Sequence, residues 1–215
     1  MSDFIYGVDE LVKRYPALEV CKEDILKAYK ILEEAYASGH KVLIAGNGGS
    51  CSDSEHIVGE LMKGFKDLRP ISKELASEFM KIDEEKGKEL ASVLQQGLPT
   101  IALDSHQALN TAFINDVKNG GEFVYAQQLN GLGNKGDAFI AISTSGNAKN
   151  LIYATIVAKA RGLKVIALTG KNGGKIKEYA DVSIIAPSDE TFCIQEYHLP
   201  IYHCLCLMLE RKFFN

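Results

Sequence analysis

The chain of 215 residues lacks what would tie it to a membrane, an oxidising compartment or nucleic acid. No apolar run approaches the roughly 18 residues that a membrane span needs. The opening Met1-Ser2-Asp3-Phe4 has neither the basic nor the apolar segment of a secretory signal. Cysteine is sparse and odd in number, at Cys21, Cys51, Cys193, Cys204 and Cys206, with no CxxC pair. That usage reads as reduced thiols in a cytoplasmic protein. Basic excess is missing as well, since the net charge is −4. A broad nucleic-acid-binding surface is thereby disfavoured. A small anionic ligand is not, because it needs only a local pocket of donors. Neither an internal repeat nor a low-complexity tract occurs. What remains is 46% hydrophobic and 24% charged, the balance of a soluble globular protein. The length suits one α/β domain with a sizeable core.

The chain is organised around Lys41-Val42-Leu43-Ile44-Ala45-Gly46-Asn47-Gly48-Gly49-Ser50. An apolar strand stops at a Gly-rich turn, and a helix carrying His56 and Glu60 follows, from about Cys51 to Phe65. Upstream, helical spacing of Val20, Ile25, Ala28, Tyr29, Ile31, Leu32, Ala35 and Tyr36 predicts a helix from about Pro16 to Ser38. A shorter one is expected over Phe4 to Val12. Downstream, Arg69-Pro70 breaks the pattern, and the charged stretch Ile71–Gln96 reads as a surface helical hairpin bending near Lys86-Gly87-Lys88. Strands and helices then alternate. Strands are expected at Thr100–Leu103, Asp137–Ile142, Lys164–Leu168 and Asp181–Ala186. Helices are expected at Gln107–Asp116, Gly121–Asn130, Asn147–Arg161 and from Glu190 to Lys212. Nearly all-apolar strands between helices imply a parallel sheet covered on both faces. Right-handed crossovers make it doubly wound. The fold class is therefore α/β, with a five-stranded parallel sheet flanked by helices, an N-terminal helical segment over 1–40 and a helical insertion over 66–98. Ligands of such sheets bind at the carboxyl ends of strands where strand order reverses.

Two loops share one design. Gly46-Asn47-Gly48-Gly49-Ser50 follows the first strand, and Ser143-Thr144-Ser145-Gly146-Asn147 follows the third and opens a helix. The second offers three hydroxyls and backbone N–H groups at a positive helix end, which suits a phosphate dianion. Neither loop has the Lys-Ser/Thr of a nucleotide-triphosphate loop, and the spacing misses the dinucleotide fingerprint. Each loop alone is equally readable as turn glycines and helix caps. Their recurrence at successive strand ends favours a ligand. His56 and Glu60, four apart on one helical face, suit metal binding or proton transfer, although such a pair taken alone is more often a surface contact. On the last helix, Gln195 and His203 lie about 80° apart around the axis and can face one cavity. His198 points elsewhere and reads as structural. Pro200 should kink this helix and free the Glu196 carbonyl.

These pieces, with Asn115-Asp116, Leu168-Thr169-Gly170 and Ile194-Gln195-Glu196, occur in the order found in the sugar isomerase (SIS) domain family. They most resemble its phosphoheptose isomerases. The match spans nearly the whole chain apart from 66–96, making 1–215 a single SIS domain. The resemblance implies an aldose–ketose isomerase that converts sedoheptulose 7-phosphate, or a closely related phosphosugar, to glycero-manno-heptose 7-phosphate through an enediol. It implies Glu60 and His203 as the acid/base pair. His56, Glu60, Gln195 and His203 match the ligands of a Zn2+ ion. Asn47, Gly48, Gly49, Ser50, Glu60, Asn115, Asp116, Ser143, Thr144, Ser145 and Gln195 match the substrate contacts. It also implies a cytoplasmic homotetramer with interfacial active sites, and no nucleic-acid or membrane partner.

Three departures stand out. Ala148 replaces the serine usual after the second loop's asparagine. Lys63-Gly64-Phe65 replaces the usual Gly-Arg, leaving a cationic substrate contact to Lys63 or to nothing. The insertion over Ile71–Gln96 is longer than usual. Two other readings stay open: a non-catalytic scaffold resembling the protein that tethers the bacterial replication initiator, and a phosphosugar-binding regulator. By resemblance, the scaffolds lack counterparts of Glu60 and His203, and no appended DNA-binding helix-turn-helix is visible in these 215 residues.

Overall fold

In a computed structural model, which describes residues 7–214, the strands β1 (Val42–Gly46), β2 (Thr100–Ala102), β3 (Ala138–Ser143), β4 (Lys164–Gly170) and β5 (Val182–Ala186) form one parallel sheet. Their order is β2-β1-β3-β4-β5. The α/β, doubly wound reading thus holds. The chain leaves β1 toward β2 on one side and returns to β3 on the other, so strand order reverses between β1 and β3. Both loops singled out in the sequence emerge at that switch point, where a crevice opens.

The strands are apolar throughout because both sheet faces are covered. Alternation divides them. Val42, Ile44, Ile140, Ile142, Ile166, Leu168 and Ile184 share a core with Ile25, Leu32, Ile57, Leu61, Leu205 and Leu209. These come from α2 (Lys22–Ala37), α3 (Gly49–Met62) and α9 (Thr191–Phe214). Leu43, Ala45, Phe139, Ala141, Val165 and Ala167 pack instead on Val124, Leu129, Leu151, Ala154 and Ala158. These belong to α7 (Gly120–Leu132) and α8 (Lys149–Ala160).

Several boundaries differ from expectation. The N-terminal segment is split into α1 (Val8–Arg14), a 3-10 turn over Pro16–Cys21, and α2. Pro16 at the start of that turn lacks the N–H a through-helix would need. The start of the helix expected over Phe4 to Val12 lies outside the described residues. Helix α3 begins at Gly49 and ends at Met62, while β2 gives way to a 3-10 turn at Leu103–Ser105. Helix α8 starts at Lys149, so Asn147 and Ala148 belong to the loop. Helix α6 (Gln107–Asp116) falls where the periodicity puts it.

The hairpin is α4 (Lys73–Ile82) and α5 (Glu84–Val93), and its bend is at Asp83 rather than at Lys86–Lys88. Asp83 caps α5 by accepting from the Lys86 N–H at 2.9 Å, which marks the true start of that helix. Gly87 is buried inside α5 because the α4 backbone at Phe79 and Met80 occupies the space a β-carbon would need. No residue of α4 is buried, and Leu75, Ile82, Val93 and Leu94 are exposed.

Helix α9 runs unbroken from Thr191 to Phe214 through Pro200. His198, fully buried, shares a 3.0 Å hydrogen bond with the Thr169 carbonyl of β4 and pins α9 to the sheet. Burial holds its pKa down at about 4, below the ordinary 6.5. The folded state therefore binds this proton less readily than the unfolded chain. Stability is fully present above 6.5 and falls as the pH drops toward 4. That gap amounts to about 3 kcal/mol. Denaturant melts across this window should show the loss, and His198→Gln should flatten the slope. A wild-type slope in the variant refutes the assignment.

Candidate active site

The first loop is built for close approach. Gly48, at the head of α3, has φ +58°, a conformation that favours glycine, and no side chain caps the helix. A β-carbon at Gly49 would collide with the Gln195 carboxamide, so α9 lies directly on this loop. The second loop is tied differently. Gly146, at φ +63°, meets the Gly173 carbonyl, and Ile176 N–H donates to Gly146 O at 3.0 Å. Ser145 Oγ accepts from the Asn147 N–H at 3.2 Å. Ala148 takes the cap position of α8, which no side chain fills. Both helices thus start without side-chain caps, which leaves their first N–H groups to the turns, solvent or an anion. The loops are latched by reciprocal amide bonds, Asn47 Nδ2 to Asn150 Oδ1 at 3.0 Å and Asn150 Nδ2 to Asn47 Oδ1 at 2.8 Å.

Above these loops α3 and α9 bring three candidate residues together. His56 Nε2 lies 3.1 Å from Glu60 Oε1. The His203 ring centroid stands 5.1 Å from that of His56, edge to face. Gln195, two turns earlier on α9 than His203, lies against Gly49 at the start of α3. Two residues that sequence reasoning missed orient the group. Tyr202 OH lies 2.9 Å from His56 Nδ1 and donates to Asp53 Oδ1 at 3.2 Å. A hydrogen bond at Nδ1 fixes which nitrogen of His56 faces Glu60. Asp53 was findable, since it lies three residues before His56 on one helical face. Tyr202 was hidden by its buried position among apolar neighbours on α9.

Electrostatics in the cluster follow from burial. The His203 pKa is lowered, first by burial and then by His56, with Glu60 pulling the other way. Burial raises the Asp53 carboxyl, while the Tyr202 hydroxyl and His56 lower it.

Glu60 Oε2 and His203 Nε2 are buried with no hydrogen-bond partner among the described residues. Two imidazoles, a carboxylate and a carboxamide form a donor set suited to zinc. The donor chemistry and the orphaned atoms suit such an ion, but among the described residues the ligand atoms of His56, Glu60 and His203 do not all come within 4.8 Å of one another. A different trio, Cys51, Glu55 and Asp104, has donor atoms within 4.8 Å of one another. It shares no member with the sequence candidates. Burial pushes the Cys51 thiol up to about 11, which disfavours the thiolate a metal needs.

Other candidates stand apart from this cluster. Asn115 and Asp116 end α6, exposed, with Asn115 Nδ2 donating to Asp116 Oδ1 at 2.9 Å. Ser143 is buried at the end of β3, and Ser50 is buried in the first turn of α3. Lys63 is exposed, with its ammonium 3.2 Å from the Gly64 carbonyl. Among the described residues, no helix is long and apolar enough to cross a membrane.

The SIS domain family model matches residues 100–208. A phosphoheptose isomerase of Helicobacter pylori is 37% identical over 197 residues, spanning 92% of this chain and 88% of that protein. One from Akkermansia muciniphila is 32% identical over the full length of both. In solved structures, the phosphoheptose isomerase of Francisella tularensis superposes with a TM-score of 0.75 at 30% identity, covering 92% of this chain and 91% of that one. The similarity to the Akkermansia protein runs the whole length of the chain. The chain therefore belongs to the SIS domain family and, within it, to the phosphoheptose isomerases.

Proposed function

We propose that this isomerase interconverts sedoheptulose 7-phosphate and glycero-manno-heptose 7-phosphate through an enediol, with Glu60 and His203 as its acid/base pair. The observation that carries the reading is the His56–Glu60–His203 cluster, whose unpartnered Glu60 Oε2 and His203 Nε2 lie where α3 and α9 meet above the first loop.

Moving a proton between adjacent carbons needs a base at one carbon, an acid for the carbonyl oxygen and a way to hold charge on oxygen. Glu60 keeps one carboxylate oxygen outside its contact with His56, available to take the proton from carbon. The lowered His203 pKa favours the neutral imidazole, which can take up a proton at Nε2 and then return it. Asn47, Gly48, Gly49 and Ser50 line the first loop, and Ser143, Thr144 and Ser145 the second. Together they are suited to hold the phosphate and the sugar hydroxyls. Gln195, against Gly49, and the pair Asn115 and Asp116 complete the proposed substrate contacts. The Asn47–Asn150 latch keeps the two loops at fixed separation while the substrate is bound.

A zinc ion would be held by His56, Glu60, Gln195 and His203, and would supply polarisation of the carbonyl and stabilisation of the developing oxyanion. A group cannot freely be ligand and base at once, so for Glu60 and His203 one of these two roles is conditional on metal occupancy.

The whole chain is read as one SIS domain with the helical segments at 1–40 and 66–98 appended, working in the cytoplasm as a homotetramer with sites at subunit interfaces. The apolar side chains exposed on α4 and α5 favour assembly. A scaffold would need neither of the two groups assigned to proton transfer.

Turnover against a panel of ketose phosphates, read by NMR, should be fastest with sedoheptulose 7-phosphate. A different preferred sugar would overturn the substrate. His203→Ala should lose about 10²- to 10⁴-fold in kcat with an unchanged circular dichroism spectrum. Full activity in that variant sinks the acid/base assignment. Protein purified without added metal should carry stoichiometric zinc, and chelation should depress turnover. Metal-free protein whose activity ignores chelators removes the zinc claim.

A further inference from the structure

A buried ion pair lies one step behind the cluster. Arg69 and Glu210 are each 1% exposed. Arg69 Nε donates to Glu210 Oε1 at 2.8 Å, and its Nη2 lies at the same distance from that oxygen. Two charges so deeply buried need complete partnering, since desolvation costs them more than their attraction returns. The remaining donors and acceptors show where that partnering goes. Arg69 Nη1 donates to the Leu61 carbonyl at 2.8 Å and Nη2 to the Glu60 carbonyl at 3.2 Å. These are carbonyls of the last turn of α3, which has no further helix to bond them. Glu210 in turn accepts backbone N–H groups of Phe65 at 2.8 Å and Lys66 at 3.0 Å.

The two ends reach different members of the active site. On α3 the guanidinium grips the backbone of Glu60 itself. On α9, Glu210 lies seven residues beyond His203, two turns along nearly the same stripe. It holds Phe65, whose ring packs against the His203 imidazole at a centroid distance of 5.2 Å. Phe214 closes the group, with its ring 4.5 Å from the guanidinium carbon. The pair thus ties the end of α3, the loop after it and α9 into one unit.

We propose that Arg69 and Glu210 are positioning residues that fix the separation of Glu60 and His203 by clamping α3 to α9. The proposal rests on the assignment of Glu60 and His203 to proton transfer. A clamp of this kind acts on the chemical step more than on substrate affinity, because misplacing a proton-transfer group raises the barrier without touching the phosphate loops.

Arg69→Lys keeps the charge opposite Glu210 but has a single ammonium, which cannot serve Glu210 and both carbonyls at once. The double variant R69M/E210M removes both charges together, a change that buried pairs often tolerate. Both variants should fold, as judged by thermal melting and by oligomeric state. In each, kcat should drop by roughly 10- to 100-fold while KM stays within about threefold. Wild-type kcat in folded R69K and R69M/E210M overturns the proposal. So does activity that merely tracks the folded fraction, because the pair would then be structural alone. Glu60→Gln, assayed alongside, separates the two failures. Full turnover in E60Q refutes the acid/base assignment on which the clamp rests. An inactive E60Q beside fully active R69K refutes the clamp alone.

Discussion

Packing of α3 against α9 is the constraint on which the site depends. Helix α3 must leave β1 through a turn so tight that Gly48 adopts a positive φ, and that turn aims the helix across one face of the sheet. Ile57 and Leu61 commit one side of α3 to the same core that takes Ile201, Leu205 and Leu209 from α9. Burial of those side chains, each worth about 1.5–3 kcal/mol, leaves the adjoining sides of the two helices facing each other. His56, Glu60, Gln195 and His203 occupy that seam. Because the core residues fix the rotation of both helices about their axes, they also decide which polar residues meet.

Much of this was legible in the chain. The sheet could be read because parallel strands covered on both sides must be apolar at nearly every position. The two Gly- and Ser-rich loops could be placed at the ends of the first and third strands, while the strand order that puts both at the switch point came from the structure. The pairing of His56 with Glu60 is helical arithmetic. What could not be read lies across long separations. Nothing in the sequence ties Arg69 to Glu210, 141 residues apart, or His56 to Tyr202. Such pairings are made by the packing of whole elements, and local periodicity carries no trace of them. The bend at Asp83 was missed for another reason. Gly87 resembled a turn residue, whereas its small size serves the close approach of two helices.

The departures from the family pattern look different once their surroundings are known. Ala148 removes a cap from α8, yet the loop stays organised by Ser145, Asn147 and the Lys175 and Ile176 N–H groups. A missing hydroxyl there subtracts one donor without dissolving the loop. Lys63 has a flexible stem and an exposed ammonium, so it can offer a positive charge but not the forked geometry of an arginine. Arg69 cannot replace it in that role, being buried and fully engaged.

The insertion is best understood from its base. Its two ends meet where Pro70 pairs with Gln95 and where Gln96 N–H donates to the Arg69 carbonyl at 2.7 Å. Arg69 is therefore held through its side chain by α3 and α9 and through its backbone by the returning strand of the hairpin. A closed base means that the length of what lies beyond it costs little, since loop-closure entropy grows slowly with added residues. The chain can accordingly carry α4 and α5 without disturbing the seam between α3 and α9.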